Sequence, residues 1–308
     1  DLPGAVFGHL HAEIPSRLNQ TYSFPSASLH YSKSSFGAFV SYNGSMSHFR
    51  LTENLSRFFG DVRPDLELKE NIDQRTWSHR FNAGLDYSIS KSGKLSIYGF
   101  VNPFSDQHGG RSFLWQGKES ELIWIAHKTE KDLNLSGYYS IRYRHIIDSD
   151  ANRHLTAEFH NHLLDTDNLT TFYGKSADSL INYTKASARL YTSRLSYSHA
   201  FSNSMLMLAG IQHRLQRINN HNGMQKGIGN HYTAIFSEGS IRKEKIHLQL
   251  GLRAESFLPN ESTNGMFSPK LEVMPSLLLA YMPVRGHSIR VSYRHTFDHP
   301  AQFQLNAQ

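Results

Sequence analysis

Apolar and polar side chains alternate along most of this chain with a period of two. In "FNAGLDYSIS", Phe81, Ala83, Leu85, Tyr87 and Ile89 share one side, and Asn82, Gly84, Asp86, Ser88 and Ser90 share the other. "IHLQLGLRAE" sets Ile246, Leu248, Leu250, Leu252 and Ala254 against His247, Gln249, Gly251, Arg253 and Glu255. "LNLSGYYSIRY" sets Leu133, Leu135, Tyr139, Ile141 and Tyr143 against Asn134, Ser136, Tyr138, Ser140 and Arg142. A strand sends successive side chains to opposite faces, so this period marks strands with one face in apolar surroundings. The pattern predicts about twelve of them, over 24–32, 35–51, 76–90, 94–102, 132–147, 153–161, 187–200, 205–216, 230–240, 245–256, 270–283 and 288–297. The only helical expectation is a single turn within 63–71. The fold class is therefore all-β and antiparallel.

The connections sharpen this. Short turns are expected at 33–34, 91–93, 148–152, 201–204, 241–244 and 284–286. Long polar links lie between them, over 52–75, 103–131, 162–186, 217–229 and 257–269. Short and long alternate, so a meander collects all short turns at one end and all long links at the other. That asymmetry belongs to transmembrane β-barrels. Several strands reach the ~9–11 residues that cross a bilayer at a tilt. Hydrocarbon offers the backbone no partner, so a spanning sheet must close on itself, with lipid outside and a polar lumen inside. Glu158, Arg194, Arg253, Glu255, Arg290 and Arg294 stand on the polar faces of their strands and are the lumen-facing candidates.

Composition fits this reading. Mean hydropathy is −0.48, and no apolar run approaches the ~18 residues of a membrane helix. Barrel strands need apolar residues only at alternate positions, so low mean hydropathy is compatible with a membrane protein. Aromatic residues make up 12% of the chain, and many fall near strand ends, where barrels carry aromatic girdles. There is no cysteine, which excludes a disulfide framework and cysteine-ligated metal. The net charge is +6, with a pI near 9.3. The lysines and arginines are dispersed, which argues against nucleic acid and suits anionic lipid or a polyanionic glycolipid surface. Asp1 opens no signal peptide, so the chain is expected to be cytoplasmic, a processed product or a fragment.

Candidate chemistry is sparse. His9/His11 and His160/His162 each put two imidazoles on one face of a strand, but 19 histidines make such pairs common, and no metal or other cofactor is assigned. "DSDAN" at 148–152 lacks the spacing of a calcium loop and reads as a turn. No nucleophile elbow, Walker loop, dinucleotide fingerprint or HExxH helix is present, and no enzymatic activity is expected. In the long links, Arg57, Phe58, Phe59, Arg111, Phe113 and Trp115 are ligand candidates, because rings and guanidinium groups stack on sugars and macrocycles.

One series of motifs carries a family resemblance. "GLRAE" (251–255), "MPSLLLAY" (274–281), "SIRVSYRHTFDHP" (288–300) and "FQLN" (303–306) occur in this order, after "SASLHYSKSSFGAFVSY" (26–42) and "GLDY" (84–87). This resembles the outer-membrane β-barrel region of TonB-dependent receptors in the form common in Bacteroidetes. His299 and Ala307 depart from the arginine and proline usual there. The resemblance implies a barrel of about 22 strands around a plug domain. It implies active uptake of a scarce nutrient (an iron chelate, haem, oligosaccharide or peptide) across a bacterial outer membrane. It also implies partners: outer-membrane lipid and lipopolysaccharide, a plug in the same polypeptide, the TonB energy-coupling complex acting through that plug, and room for a surface lipoprotein. Residues 1–23 are then expected to be a connection from a plug or a first strand. Residues 24–308 would be part of a barrel cut before its last strands. Two other readings remain open: a passive outer-membrane channel or assembly barrel, and a soluble β-rich carbohydrate-binding module.

Overall fold

The computed structural model describes residues 4–13, 16–17, 20–58, 66–116, 121–148, 152–174, 179–220, 228–259, 270–284 and 286–296. Fifteen strand segments form one sheet: β1 (Ala5–His11), β2 (Ser16–Arg17), β3 (Gln20–Ser23), β4 (Ser26–Lys33), β5 (Phe36–Arg57), β6 (Leu66–Ser88), β7 (Gly93–Gln116), β8 (Glu121–Ile146), β9 (Arg153–Gly174), β10 (Ser179–Ser202), β11 (Met205–Asn220), β12 (Ile228–Lys243), β13 (Ile246–Pro259), β14 (Lys270–Tyr281) and β15 (Ile289–Arg294). From β4 onward each strand pairs antiparallel with the next, a simple meander. β1 pairs with β4, β2 with β3, and β3 with β5 beside β4. β3 and β4 thus act as one strand broken at Pro25, which has no N–H to offer the ladder. The order is linear among the described residues, with β1 and β15 at its edges. No helix occurs among them, and the turn of helix expected within 63–71 is strand from Leu66 on.

All twelve expected strands are present, but the long links are mostly strand as well. β7 and β8 run through Gln116 and from Glu121, so the expected link 103–131 shrinks to a tip between them. The links 52–75, 162–186 and 217–229 shorten in the same way. The 26 residues of β8 extend about 85 Å at ~3.3 Å per residue. A bilayer crossing uses ~9–11 residues, so most of β8 lies outside the hydrocarbon band.

The register gives each strand two distinct faces. Phe36, Ala38, Val40 and Tyr42 of β5 stand opposite Tyr87, Leu85, Ala83 and Phe81 of β6. Leu248, Leu250 and Leu252 of β13 stand opposite Leu279, Leu277 and Pro275 of β14. This face is exposed: Val40 by 54%, Leu250 by 53% and Ile235 by 63%. On the other face Thr156, Ser196, Ser198 and Glu255 are buried. The usual burial order of a globular protein is reversed. Hydrocarbon is the medium that makes such a sheet stable. Every ladder hydrogen bond is then made inside the protein, and the apolar face meets lipid.

The short ends are tight. Only Glu244 and Lys245 separate β12 from β13, and Glu244 takes φ 46°, in the left-handed region such a turn demands. Between β8 and β9, the Asp148 carboxylate accepts the Arg153 backbone N–H at 2.9 Å. "DSDAN" therefore starts a turn held by its first aspartate.

Candidate functional site

Three arrangements on the polar face bear on function. The first is a ladder of rings from β1 to β9. Phe7 stacks on His30 at 4.7 Å between centroids, His30 on Phe39 at 5.6 Å, Phe39 on Tyr98 at 6.2 Å, and Tyr98 meets Tyr138 at 5.8 Å. Tyr138 then meets His160 at 6.0 Å and His162 at 4.6 Å, and its hydroxyl is 2.8 Å from His160 Nδ1. Phe39 reaches Tyr98 across β6 because Gly84 stands between them, and a Cβ at Gly84 would overlap the Phe39 ring. Arg80 lies over Phe100 at 3.9 Å and continues the row upward. Each such contact contributes roughly 0.5–1.5 kcal/mol, so the ladder as a whole holds seven strands in one register.

The second arrangement surrounds Glu255, buried on β13. Arg253 donates to Glu255 Oε2 from Nε at 3.0 Å and to Gln212 from Nη1 at 3.0 Å. Arg214 Nη2 lies 3.5 Å from Glu255 Oε1, and its guanidinium sits over Tyr232 at 4.3 Å. Two cations face one buried carboxylate, and breaking one partner away would cost several kcal/mol.

The third is a cavity of about 360 Å³ lined by Arg142, His154, Glu158, Arg194 and Glu238 among others. Arg142 pairs with Glu158 at 3.2 Å, and Arg194 lies over Phe236 at 4.5 Å. The six charges expected on the polar face thus separate into groups. Glu158 and Arg194 line this cavity, and Arg253 and Glu255 form the pair above. Arg290 and Arg294 stand on β15, opposite Ala280 and Ser276. The sequence reading did not single out Phe39, Tyr98 or Tyr138. Their signal was the aromatic residue on the polar side of an otherwise regular alternation, as in "YY" at 138–139.

The six ligand candidates from the long links do not come together. Arg57 is the last residue of β5, Phe58 follows it, and Phe59 lies outside the described residues. Arg111, Phe113 and Trp115 are strand residues of β7, not loop residues. They continue the row of Val101 and so stand on the outward face, with Phe113 stacked on Trp115 at 5.9 Å. The histidine pair His160/His162 sits in the ring ladder. Among the described residues no group of three or more histidine, aspartate or glutamate side chains is arranged to hold a metal.

An antiparallel meander with an apolar outer face, a polar inner face and short turns at one end is a transmembrane β-barrel of the outer-membrane type. The sequence profile of the family described as "TonB dependent receptor-like, beta-barrel" matches residues 54–308, and the chain belongs to that family. No curated protein matches it. Among solved structures it is similar to the toluene transporter TodX of Pseudomonas putida, at 11% identity over 94% of this chain and 80% of that one, with a TM-score of 0.35. It is also similar to P. aeruginosa FpvA bound to heterologous pyoverdines, at 8% identity over 93% of this chain and 55% of that one, with a TM-score of 0.44. The translocator domain of the autotransporter NalP from Neisseria meningitidis is a third, at 11% identity over 85% of this chain and 81% of that one, with a TM-score of 0.30.

Proposed function

We propose that this chain is the barrel of a TonB-dependent receptor in a Gram-negative outer membrane, for active uptake of a scarce nutrient. The observation that carries the reading is the family match over 54–308, laid on a sheet whose inner face is polar and charged in its spanning part. The inner charges grip a plug domain of the same polypeptide, and TonB acts on that plug from the periplasmic side. The short turns face the periplasm and the long strand extensions face the outside. The nutrient class remains that of the family at large: an iron chelate, haem, an oligosaccharide or a peptide. The chain performs no catalysis; it holds, admits and conducts.

The test separates this receptor from a passive channel. The full-length protein is reconstituted in planar bilayers. A plugged receptor conducts at the background level until the plug is unfolded by mild denaturant, and then conducts. Steady conductance from the start would overturn the reading in favour of an open channel. Extraction of the protein without detergent would overturn the membrane assignment itself.

A further inference from the structure

We propose that the cavity beside Arg194, on the inward face of β8–β12 near their short turns, is a binding site for a small organic carboxylate with an aliphatic body. The proposal rests on the outer-membrane barrel reading above, and it gives that lumen a class of cargo: small, anionic and amphipathic.

The register builds the cavity in rows. Arg142 of β8, Glu158 of β9 and Arg194 of β10 stand side by side in the first. The next row, two residues nearer the short turns, holds Thr156, Ser196 and Gly210. Its side chains are short or absent, and this leaves the hollow. Beyond it come His154, Ser198, Leu208 and Glu238, and then Leu206 and Ser240. All of these but Gly210 line a volume of about 360 Å³. Small-molecule pockets hold ~300–1,000 Å³, so the space suits a small ligand.

The walls differ in chemistry. Leu206 and Leu208 are leucines on a face that is otherwise polar here, and Leu206 is 43% exposed. They give one side of the cavity an apolar surface with nothing from the sheet to cover it. Thr156, Ser196 and Ser198 are buried between that surface and the charged row. A ligand that lies across the rows therefore meets leucine at one end and cation at the other.

The charged end is incompletely matched. Glu158 is taken by Arg142 at 3.2 Å, and Glu238 accepts the Gln249 amide at 2.8 Å. Arg194 stands opposite Glu158 in the ladder, yet its guanidinium lies over Phe236 at 4.5 Å. Arg194 Nε and His154 Nδ1 are buried and meet no hydrogen-bond partner among the described residues. Other inward arginines are better served. Arg80 also lies over a ring, at 3.9 Å from Phe100, and its Nε still donates to Asn82 at 2.9 Å. Arg253 and Arg214 share Glu255. A buried donor without an acceptor is costly, most of all when it is charged. A carboxylate offsets that cost with charge-assisted bonds to Arg194 and to His154 in the tautomer protonated on Nδ1. Its alkyl chain then covers Leu206 and Leu208.

The experiment uses the full-length protein in detergent, with hexanoate as probe and binding read by isothermal titration calorimetry. Saturable binding is expected, at least tenfold tighter than that of acetate, because the extra methylene groups meet the leucines. Arg194→Gln is expected to weaken hexanoate binding about tenfold or more, the loss of one charge-assisted hydrogen bond. Leu206→Asn changes a half-exposed side chain and is expected to lower the preference for hexanoate over acetate severalfold while acetate binds as before. Arg50→Gln removes the same charge from the outward face of the extension, where Arg50 is 72% exposed, and is expected to bind as wild type. Retained heat-modifiable mobility on gels shows which variants are folded, and either site variant alone decides the matter. Unchanged binding in folded Arg194→Gln, or an unchanged preference in folded Leu206→Asn, would overturn the proposal. So would acetate or inorganic phosphate binding as tightly as hexanoate, which would mark a bare anion site. No hexanoate binding by the wild-type protein would show that another part of the polypeptide fills the cavity, and would overturn it as well. Steady conductance in planar bilayers sinks the receptor reading and leaves this site standing. A plugged receptor that binds no hexanoate sinks the site alone.

Discussion

The lower and upper parts of the same strands obey opposite rules. In the spanning part of β5 and β6, the outward row is Phe36, Ala38, Val40 and Tyr42 against Tyr87, Leu85, Ala83 and Phe81, and the inward row is Ser41 and Asn43 against Asn82 and Arg80. In the extension, the outward row is His48, Arg50 and Thr52 against Arg75, Asp73 and Asn71. The inward row there is Phe49, Leu51 and Leu55 against Gln74, Ile72 and Leu68. The backbone pairing is continuous through the change, so the sheet itself is indifferent to which face is apolar. The surroundings decide. Lipid requires an apolar exterior below the boundary, and water permits a charged one above it. Above the boundary the inner face is freed to carry apolar groups that line the mouth of the lumen.

The sharpest way to break this contrast is to place one charge on each face below the boundary. Leu250→Arg puts a cation against lipid, at a cost of about 2–4 kcal/mol, and should abolish the heat-modifiable folded form. Gln249→Arg faces the lumen one residue away and should assemble almost as wild type. Equal tolerance of the two in an insertion assay would remove the basis of the comparison.

Next in size is a pair of glycines. Gly84→Leu, below the boundary, drives a side chain into Phe39 and should lower stability by about 1–3 kcal/mol, read as the urea midpoint in micelles. Gly109→Ala, above the boundary, meets open space and should change that midpoint within about 0.5 kcal/mol. Reversal of this order would mean that the ring ladder does not set the register.

Smaller still is the outward ion pair of Arg189 and Asp165. Arg189→Ala breaks the bidentate pair with Asp165, but both partners are about one-third exposed, and the loss should stay below about 1 kcal/mol. A loss of several kcal/mol would place that pair in a far drier site than the extension offers.

The smallest effect is a pH dependence at Asp73. Burial alone would raise its carboxyl, but the hydrogen bond and charge of His48, together with Arg75, outweigh it and hold the group below the ordinary carboxylate range. A depressed folded value adds stability at any pH above the ordinary one and loses it as pH falls through the folded value. Asp73→Asn should lower stability slightly at neutral pH and remove the shallow acid-side decline, so that its profile meets the wild-type profile in acid. An unaltered acid limb would show that Asp73 is not held by these partners.

The same reversal explains what the amino-acid pattern concealed. In "FGAFVSYNGSMSHFRLTENL" the apolar residues other than Phe39 occupy even positions from Phe36 to Met46, and odd positions from Phe49 to Leu55. A shift of one in phase reads as the end of a strand, so 52–75 was expected as a loop. The strand had not ended; its apolar side had changed faces. In β7 the faces are kept, and Arg111, Phe113 and Trp115 continue the outward row of Val101, but the run of polar residues and glycines over 105–112 hides the alternation and reads as a loop. The ladder of Phe39, Tyr98 and Tyr138 was hidden for a related reason. A ring on a polar face looks like an exception until the neighbouring strands supply other rings beside it.

Local alternation alone located twelve strands, though not their extensions, together with the short turns at one end and the face on which Glu158, Arg194, Arg253, Glu255, Arg290 and Arg294 stand. It could do so because a period of two is a property of each strand by itself. Cross-strand register was left to the tertiary structure. It brought Arg214 and Arg253 to one carboxylate, let Phe39 reach Tyr98 over Gly84, and gathered Arg142, Arg194 and Glu238 around one cavity. Those partners lie on different strands, dozens of residues apart in the chain. Only the pairing of the sheet, and the height at which lipid gives way to water, decides which of them meet.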